Sequence, residues 1–298
     1  MQLIETVRAL QERSEAERAA GRRIALVPTM GALHAGHLAL LEEARRRADR
    51  VWVSIFVNPT QFDDPADLAR YPRSFEADLD ACRAAGAALV FAPASAEMYP
   101  DGMQTAIEVG ELSWPLCGAT RSGHFRAVGT IVAKLLLAAK PHVAVFGEKD
   151  FQQLAVIRRM VRDLNFDVEI VGAPIVRDAD GLALSSRNRR LDAEARRQAT
   201  ALVQALDAAE AAASDGVRDA ARLLSAVRAK IARAPRAELE YAELRDPETL
   251  RPAPAQLGGP TLLALAVHMR LADGGAERVR LIDNRVLRPA LRAGGSAG

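Results

Sequence analysis

The sequence predicts an α/β protein with a Rossmann-like parallel sheet that carries helices on both faces, followed by a smaller α+β domain. In the first half of the chain, short β-branched runs alternate with helical patterns across short connections, which is typical of a parallel sheet. Beyond Pro174 the pattern changes to Ala-rich charged helices and three short strand-like runs. We therefore expect a first domain over 1–174, a lid-like second domain over 175–287 and a disordered tail over 288–298.

The hydrophobic pattern of the first domain predicts an opening helix and a series of alternating strands and helices. Leu3, Val7 and Leu10 fall on one helical face, which predicts a helix that stops at Gly21. The remaining predicted elements of the first domain are strands at 23–27, 51–57, 87–91, 142–146 and 167–171, and helices at 37–47, 74–85, 124–138 and 150–164.

The second domain begins with helical sequence and ends with strand-like sequence. Asp192 is a good N-cap for a long helix that reaches Ser214, and Asp215-Gly216 separates it from a second helix ending near Arg233. The runs 239–244, 261–269 and 278–282 predict three strands.

Composition excludes several classes of protein. The chain has 298 residues, with 40 Lys and Arg against 38 Asp and Glu and both signs interspersed, which argues against a nucleic-acid partner. No apolar run approaches the roughly 18 residues of a membrane span, and the N-terminus lacks the pattern of a signal peptide. The two cysteines form no disulfide framework or metal motif. We expect a cytoplasmic protein with no membrane partner.

The segment PTMGALHAGH at 28–37 carries the strongest functional signal, because it joins a predicted strand to a helix. Ligands of parallel sheets bind at the carboxyl ends of strands, so the segments 58–64, 147–150 and the stretch after Val171 are further candidates. Gly31 and Gly36 allow close backbone approach, and His34 and His37 can donate to phosphate oxygens. A second interpretation is that the two histidines bind a metal ion, but the sequence has neither an HExxH motif nor an obvious third ligand. A third interpretation is that both histidines only cap the helix or pack in the core.

Two further segments add cationic and hydroxyl groups. Lys149 opens a helix and can face the same crevice, although a solvated lysine is the common case. Ser185, Ser186 and Arg187 can bind phosphate from a loop, although a turn or N-cap explains this segment equally well when it is taken alone.

Together these segments resemble the pantothenate synthetase (pantoate–β-alanine ligase) family of the HxGH nucleotidyltransferase superfamily. The family commonly has Met at position 60 and Gly at position 127, where this chain has Thr60 and Ala127. The resemblance rests on PTMGALHAGH (28–37), FVNPTQF (56–62), YPR (71–73), MYPDG (98–102), HFRAVGTIVAKL (124–135), GEKDFQQL (147–154), DGLALSSRN (180–188) and RLIDN (280–284).

The resemblance implies a two-step reaction with ATP and Mg²⁺. The pantoate carboxylate attacks the α-phosphorus of ATP and expels pyrophosphate, and the β-alanine amine then attacks the pantoyl adenylate and releases AMP. Mg²⁺ is expected on ATP oxygens, so no protein ligand is assigned, and Asp78 is a weak candidate. The resemblance also implies a homodimer.

Site residues carry over position by position. Gln61 and Gln153 match the pantoate and β-alanine side. The expected catalytic residues are His34, His37, Lys149, Ser185, Ser186 and Arg187. The expected ATP-binding residues are Met30, Gly31, Ala32, Leu33, His34, Ala35, Gly36, His37, Gly147, Glu148, Lys149, Asp150, Val176, Leu184, Ser185, Ser186 and Arg187.

Two other function classes remain in view. One is a nucleotidyltransferase that joins a nucleoside monophosphate to a phosphorylated acceptor, which requires a basic acceptor pocket; the amides Gln61 and Gln153 favour a small, singly charged acid instead. The other is a nucleotide-binding module without catalysis, which has no need of the full set of histidines, Lys149 and Arg187.

Overall fold

A computed structural model describes residues 1–63, 65–271 and 277–290. The chain divides into two compact units, of which the first is Met1–Val176 and the second begins at Arg177.

The first unit contains a six-stranded sheet in which every neighbouring pair of strands is parallel. The strands occur in the spatial order β1-β4-β3-β2-β5-β6. Their bounds are β1 Gln2–Ile4, β2 Ile24–Thr29, β3 Arg50–Ile55, β4 Leu89–Phe91, β5 Val143–Gly147 and β6 Glu169–Ala173.

Helices connect these strands, and several connections also contain short 3-10 turns. The 3-10 turns that matter for the site are Pro59–Gln61, Glu111–Ser113 and Glu148–Asp150. The helices are α1 Val7–Ala19, α2 Ala35–Arg45, α3 Pro65–Ala69, α4 Phe75–Ala84, α5 Ser95–Met98, α6 Cys117–Thr120, α7 His124–Ala139 and α8 Phe151–Asp163.

The alternation of side chains along β2 explains why helices cover both faces of the sheet. Ile24 and Leu26 belong to a core cluster that includes residues of α1, α7 and α8. Ala25 and Val27 belong to a second cluster with residues of α2 and α4. Because successive side chains of a strand point to opposite faces, both faces of the sheet are buried. The predicted fold class is confirmed.

The strand order creates a switch point beside β2. The chain moves from β2 to β3 and β4 on one side and then crosses to β5 on the other side of β2. In open parallel sheets, ligands bind at the carboxyl ends of the strands where the order reverses. The loops that follow β2 and β5 are therefore neighbours at this edge.

The second unit is a small α+β structure with its own core. Strands β7 Ala237–Arg245, β8 Thr261–Arg270 and β9 Arg278–Leu287 form an antiparallel sheet in the order β7-β8-β9. Helices α9 Ala193–Ala199, α10 Ala201–Ser214 and α11 Ala220–Ile231 precede the sheet, and residues of all three belong to one buried cluster with the strands. The prediction of a smaller α+β part is confirmed.

Two predicted helices differ from the structure. Leu3 lies in β1, not in the opening helix, because β1 pairs with β4; α1 starts at Val7, where Thr6 caps it. The predicted helix 192–214 is interrupted at Thr200, whose hydroxyl donates to the Arg197 carbonyl at 2.7 Å. This side-chain bond competes with the helical ladder.

Some predicted features fall on positions outside the described residues, namely residue 64 of the segment 58–64 and residues 291–298 of the expected tail. Of that tail, Pro289 is buried and the Ala290 N–H donates to the Ala213 carbonyl at 3.3 Å. Among the helices described, none is long and apolar enough to cross a membrane.

Candidate active site

The loop that follows β2 is shaped by the buried carboxylate of Asp78. Gly31 and Ala32 have φ values of 79° and 51°, in the left-handed region, so the chain turns sharply here. Asp78 lies on α4 and is 3% exposed. Its Oδ2 accepts from the Ala32 N–H and its Oδ1 from the Leu33 N–H, both at 2.8 Å. Asp78 therefore fixes the backbone just ahead of the two histidines.

His34 and His37 form a reciprocal cap at the start of α2. The His34 Nδ1 accepts from the Gly36 N–H at 3.2 Å, and the His37 Nδ1 accepts from the His34 N–H at 3.3 Å. The two ring centroids lie 4.1 Å apart. Each imidazole thus satisfies a main-chain donor that the helix leaves unpaired.

His37 is neutral in this environment. Burial and then the neighbouring His34 are the main causes that lower the pKa of His37 to about 3; Asp150 opposes them, and Lys149 makes a smaller contribution in the lowering direction. Because Nδ1 accepts a hydrogen bond, the ring hydrogen lies on Nε2. His37 consequently offers one neutral N–H donor without bringing a charge.

The loop after β5 places a cation near this donor. Glu148–Asp150 forms a 3-10 turn directly after Gly147, and α8 starts at Phe151. The Lys149 Nζ lies 4.0 Å from an Asp150 carboxylate oxygen, and both charges act on the pKa of His37. The structure thus brings together His34, His37 and Lys149 at the switch point.

Gln61, on the Pro59–Gln61 turn, is oriented by the buried side chain of Asn58. The Asn58 Oδ1 accepts from the main-chain N–H of Thr60 at 3.3 Å, so the other end of this amide must be the donor Nδ2. Nδ2 donates to the Gln61 Oε1 at 3.1 Å, and the Gln61 Nε2 then faces the Met30 sulfur at 3.0 Å. Gln61 therefore presents hydrogen-bond donors toward the loop after β2.

The two adjacent glutamines of α8 have different surroundings. Gln152 is buried: its Nε2 donates to the carbonyls of Leu112 and Pro115, and its Oε1 accepts from the Cys117 N–H. Gln153, the residue selected from the sequence, is half-buried. Gln152 therefore holds the segment around residues 112–117, which leaves Gln153 as the candidate for ligand contact.

In the second unit, Ser185 and Ser186 start a 3-10 turn. The Ser185 Oγ accepts from the Arg187 N–H at 3.3 Å, and Ser186 is 7% exposed. The Asn188 side chain donates to the Ala183 carbonyl at 3.0 Å. The segment therefore forms the turn that was one of the two interpretations of its sequence. Arg187, within this turn, is half-buried.

An ion pair anchors the segment that leads into this turn. The two terminal nitrogens of Arg177 donate to the two carboxylate oxygens of Asp283 on β9, at 2.7 and 2.9 Å. The same guanidinium donates to the Gly181 carbonyl at 3.0 Å. Asp283 is 2% exposed, and such bidentate pairs fix orientation well. Val176 and Leu184, which flank this segment, are both half-buried.

Sequence reasoning missed the residues that position the site. It names Asp78 only as a weak candidate for Mg²⁺ and assigns no individual role to Asn58 or Arg177. Asn58 lies within the FVNPTQF motif, and Asp283 lies within RLIDN, so the motifs themselves contain this signal. Asp78 has no local signal, because it bonds to residues 45 and 46 positions away.

The described residues contain no cluster of three or more His, Cys, Asp or Glu side chains that could hold a metal ion. Both oxygens of Asp78 already accept main-chain hydrogen bonds. The donor set near His37 thus suits an anionic ligand better than a cation bound by the protein alone.

Comparison with known proteins identifies the family. The family model described as Pantoate-beta-alanine ligase matches residues 2–286. The chain belongs to the pantoate-β-alanine ligase family. Among curated members, the pantothenate synthetase of Geobacter sulfurreducens is 51% identical over 287 residues, which cover 96% of this chain and 99% of that protein.

Solved structures of pantoate-β-alanine ligases agree with the fold. Pantothenate synthetase from Thermus thermophilus is 44% identical, with a TM-score of 0.88 over 97% of this chain and 100% of that one. The ligase from Francisella tularensis, solved in complex with beta-gamma ATP and beta-alanine, is 31% identical, with a TM-score of 0.76 over 96% of this chain and 97% of that one.

Thr60 and Ala127, the two positions at which the sequence resemblance predicts a departure from the family's common residues, both contact Asn58. The Thr60 hydroxyl donates to the Asn58 Oδ1 at 2.8 Å, and the Ala127 carbonyl accepts from the Asn58 Nδ2 at 3.5 Å. The Tyr99 hydroxyl also donates to the Asn58 Oδ1, at 2.8 Å. Thr60 thus adds a hydrogen bond to the residue that orients Gln61.

Proposed function

We propose that this protein condenses pantoate with β-alanine to form pantothenate at the expense of ATP, through a pantoyl-adenylate intermediate. The observation that carries the proposal is the location of His37, a neutral N–H donor, and of Lys149, whose charge acts on the pKa of His37, on the two loops that meet at the switch point of the sheet. Family membership and the ATP and β-alanine complex of the Francisella tularensis relative support the same substrates.

The first step transfers an adenylyl group. A pantoate carboxylate oxygen forms a bond to the α-phosphorus, and the bond from that phosphorus to the bridging oxygen breaks, so pyrophosphate leaves with the electron pair. Negative charge grows on phosphate oxygens during this step, and preorganised donors stabilise it most. We assign the Nε2–H of His37 and the ammonium group of Lys149 to those oxygens, with His34 beside them.

The acid is recognised by amide donors. Asn58 orients the Gln61 side chain so that its Nε2 faces away from Asn58, toward Met30. A thioether is a weak acceptor, so a carboxylate or hydroxyl oxygen would replace it readily. We propose that Gln61 and Gln153 bind pantoate in this way and hold its carboxylate in line for attack.

The second step makes the amide. The β-alanine amine attacks the acyl carbon of the adenylate, AMP leaves with the electron pair of the acyl–oxygen bond, and the amine loses a proton. The reaction needs no covalent bond to the enzyme, so neither serine is required as a nucleophile. We assign Ser185, Ser186 and Arg187 to ATP binding. The main chain of 30–37 and 147–150, together with Val176 and Leu184, is assigned to the same ligand.

Mg²⁺ is proposed to enter as part of the nucleotide substrate. The described side chains offer no ligand cluster of their own, and Mg²⁺ commonly keeps several waters while it binds phosphate oxygens. It would supply neutralisation of phosphate charge. We further propose a cytoplasmic homodimer, in line with the family resemblance.

Pyrophosphate–ATP exchange tests the proposal directly. With Mg-ATP and pantoate but without β-alanine, we expect exchange, and omission of pantoate should abolish it. Absence of exchange, together with no AMP release after β-alanine is added, would exclude the adenylate route. A phosphorylated acceptor that replaces pantoate would instead favour a nucleotidyltransferase.

Single substitutions then test the roles. His37→Ala should lower the exchange rate by about two decades, the usual loss for one electrostatic stabiliser. Gln61→Ala should mainly raise the KM for pantoate. Near-normal exchange in His37→Ala would show that another residue stabilises the phosphate charge. An unchanged pantoate KM in Gln61→Ala would show that another residue binds pantoate.

A further inference from the structure

The main-chain carbonyl of Gln61 is held by two side chains from the start of α7 and the residues before it. The Arg121 Nη2 donates to this oxygen at 2.8 Å, and the His124 Nδ1 lies 3.0 Å from it. A carbonyl oxygen has two lone pairs, and both are engaged here.

The geometry fixes the tautomer of His124. A carbonyl oxygen can only accept, so Nδ1 carries the hydrogen that points at Gln61. On the other side of the ring, Nε2 lies 3.2 Å from the Arg121 Nη1, which can only donate. The ring is buried, and burial together with the charge of Arg121 lowers the pKa of His124 to about 4. His124 is therefore a neutral residue with one defined donor and one defined acceptor.

The guanidinium of Arg121 joins three partners through its three nitrogens. Beyond the contacts with Gln61 and His124, its Nε donates to the Asp63 Oδ2 at 3.0 Å. One planar group therefore connects both ends of the 61–63 segment, and its rigid fork sets their relative positions.

We propose that His124 and Arg121 are positioning residues for the acid substrate, acting through the Gln61 carbonyl; this inference rests on the proposed role of Gln61 in binding pantoate. Gln61 is held at its carbonyl by this pair and at its side-chain oxygen by Asn58. With both ends fixed, the Nε2 donors have a single direction before the substrate arrives, which lowers the cost of ordering them on binding.

Two substitutions of His124 separate positioning from packing. In His124→Asn, the side-chain amide nitrogen takes the place of Nδ1 and retains a donor to the Gln61 carbonyl. In His124→Gln, the amide takes the place of Nε2 and that donor is lost. Both variants keep a neutral polar side chain, and Arg126→Gln, an exposed charge on the same helix, is the control.

The readout is the KM for pantoate and the KM for ATP in pyrophosphate–ATP exchange, with thermal unfolding midpoints for each variant. We expect His124→Gln to raise the pantoate KM about tenfold, the equivalent of one lost hydrogen bond, while the ATP KM stays within about twofold. His124→Asn and Arg126→Gln should stay within about threefold of wild type.

A parallel rise in both KM values, or equal effects of the Asn and Gln variants, would overturn the positioning role. If His124→Gln does not fold, Arg121→Lys decides, since it keeps the charge but loses the fork; its pantoate KM should rise about tenfold, and an unchanged value would overturn the proposal. Absence of pantoate-dependent exchange in wild type would instead reject the proposed function, and the positioning role with it.

Discussion

The Asp78 carboxylate lies 2.9 Å from the point that a Cβ atom on Gly31 would occupy. The Ile55 side chain lies 3.2 Å from the same point, so a methyl group there would be too close to both side chains. The left-handed φ of Gly31 adds a second reason why glycine is required there. Close packing and backbone geometry thus act together at the loop that precedes the two histidines.

Gly31→Ala should lower the free energy of unfolding by about 2–4 kcal/mol, the sum of a left-handed alanine and a packing clash. Gly21→Ala is the matched control: Gly21 also has a positive φ, of 70°, but no atom lies within 4 Å of its added Cβ. That variant should lose only about 1–2 kcal/mol. Urea unfolding of both proteins measures the difference, and equal losses would show that the carboxylate contact is unimportant.

Asp78→Asn should weaken the loop without removing volume. An amide has one oxygen, so either the Ala32 or the Leu33 N–H loses its acceptor, at a cost of about 1–3 kcal/mol. We expect the KM for ATP to rise about tenfold as the histidines shift. Asp80→Asn, on the exposed side of the same helix, should change neither stability nor KM appreciably. Similar behaviour of the two variants would contradict the anchoring role.

Neighbouring glutamines should respond in opposite ways. Gln152→Ala leaves two carbonyls and one N–H without their partner, so unfolding should become easier by about 2–3 kcal/mol. Gln153→Ala should change stability by less than about 0.5 kcal/mol but raise the pantoate KM about tenfold. Thermal unfolding and pyrophosphate exchange distinguish them; an unstable Gln153→Ala protein would argue against its role in ligand binding.

Acidification should destabilise the fold before the carboxylates titrate. The folded-state pKa values of His37 and His124 are lowered to about 3 and about 4, whereas an unfolded histidine titrates near 6.5. Between these values the unfolded chain binds more protons, so the stability from both groups is full above about pH 6.5 and is lost as pH falls toward about 4 for His124 and about 3 for His37. The slope should approach about 1.4 kcal/mol per pH unit for each histidine.

Denaturant unfolding between about pH 7 and pH 4 measures how the free energy of unfolding changes with pH. His124→Asn removes one titrating ring, so the slope should fall by the contribution of one histidine. A flat profile over that interval would mean that the two rings are not buried in neutral form. For the same reason, the exchange reaction should show no ionisation of His37 between about pH 6 and pH 8.

The longer helices and five of the six strands of the first unit were predictable because their signals are local, whereas the short helices α3, α5 and α6 were not predicted. The short β-branched runs place β2, β3 and β5 close to their observed bounds, and Ser74 marks the start of α4. The position of Leu3 is not predictable in this way, because three residues of strand have no periodicity of their own and form only by pairing with β4. Thr200 interrupts a helix through a side-chain bond that a propensity argument does not reveal.

The residues proposed to meet the ligands were accessible from motifs, whereas those that hold them in place were mostly not. His34, His37 and Lys149 lie in recognisable segments at strand ends. Asp78 and Arg121 act through main-chain atoms far away in the sequence, and any carboxylate or guanidinium at the right place would serve. Their role depends on the folded geometry and leaves no distinctive local pattern.

The reciprocal cap of His34 and His37 links local folding to substrate recognition. The same two rings that would face phosphate also hold the amide hydrogens of Gly36 and His34. A ligand bound at Nε2 acts on the same rings whose Nδ1 atoms accept these two hydrogen bonds, so we expect it to change the opening rate of the first turn of α2. If nucleotide binds these rings as proposed, amide exchange at Gly36 and His34 would report its occupancy without turnover.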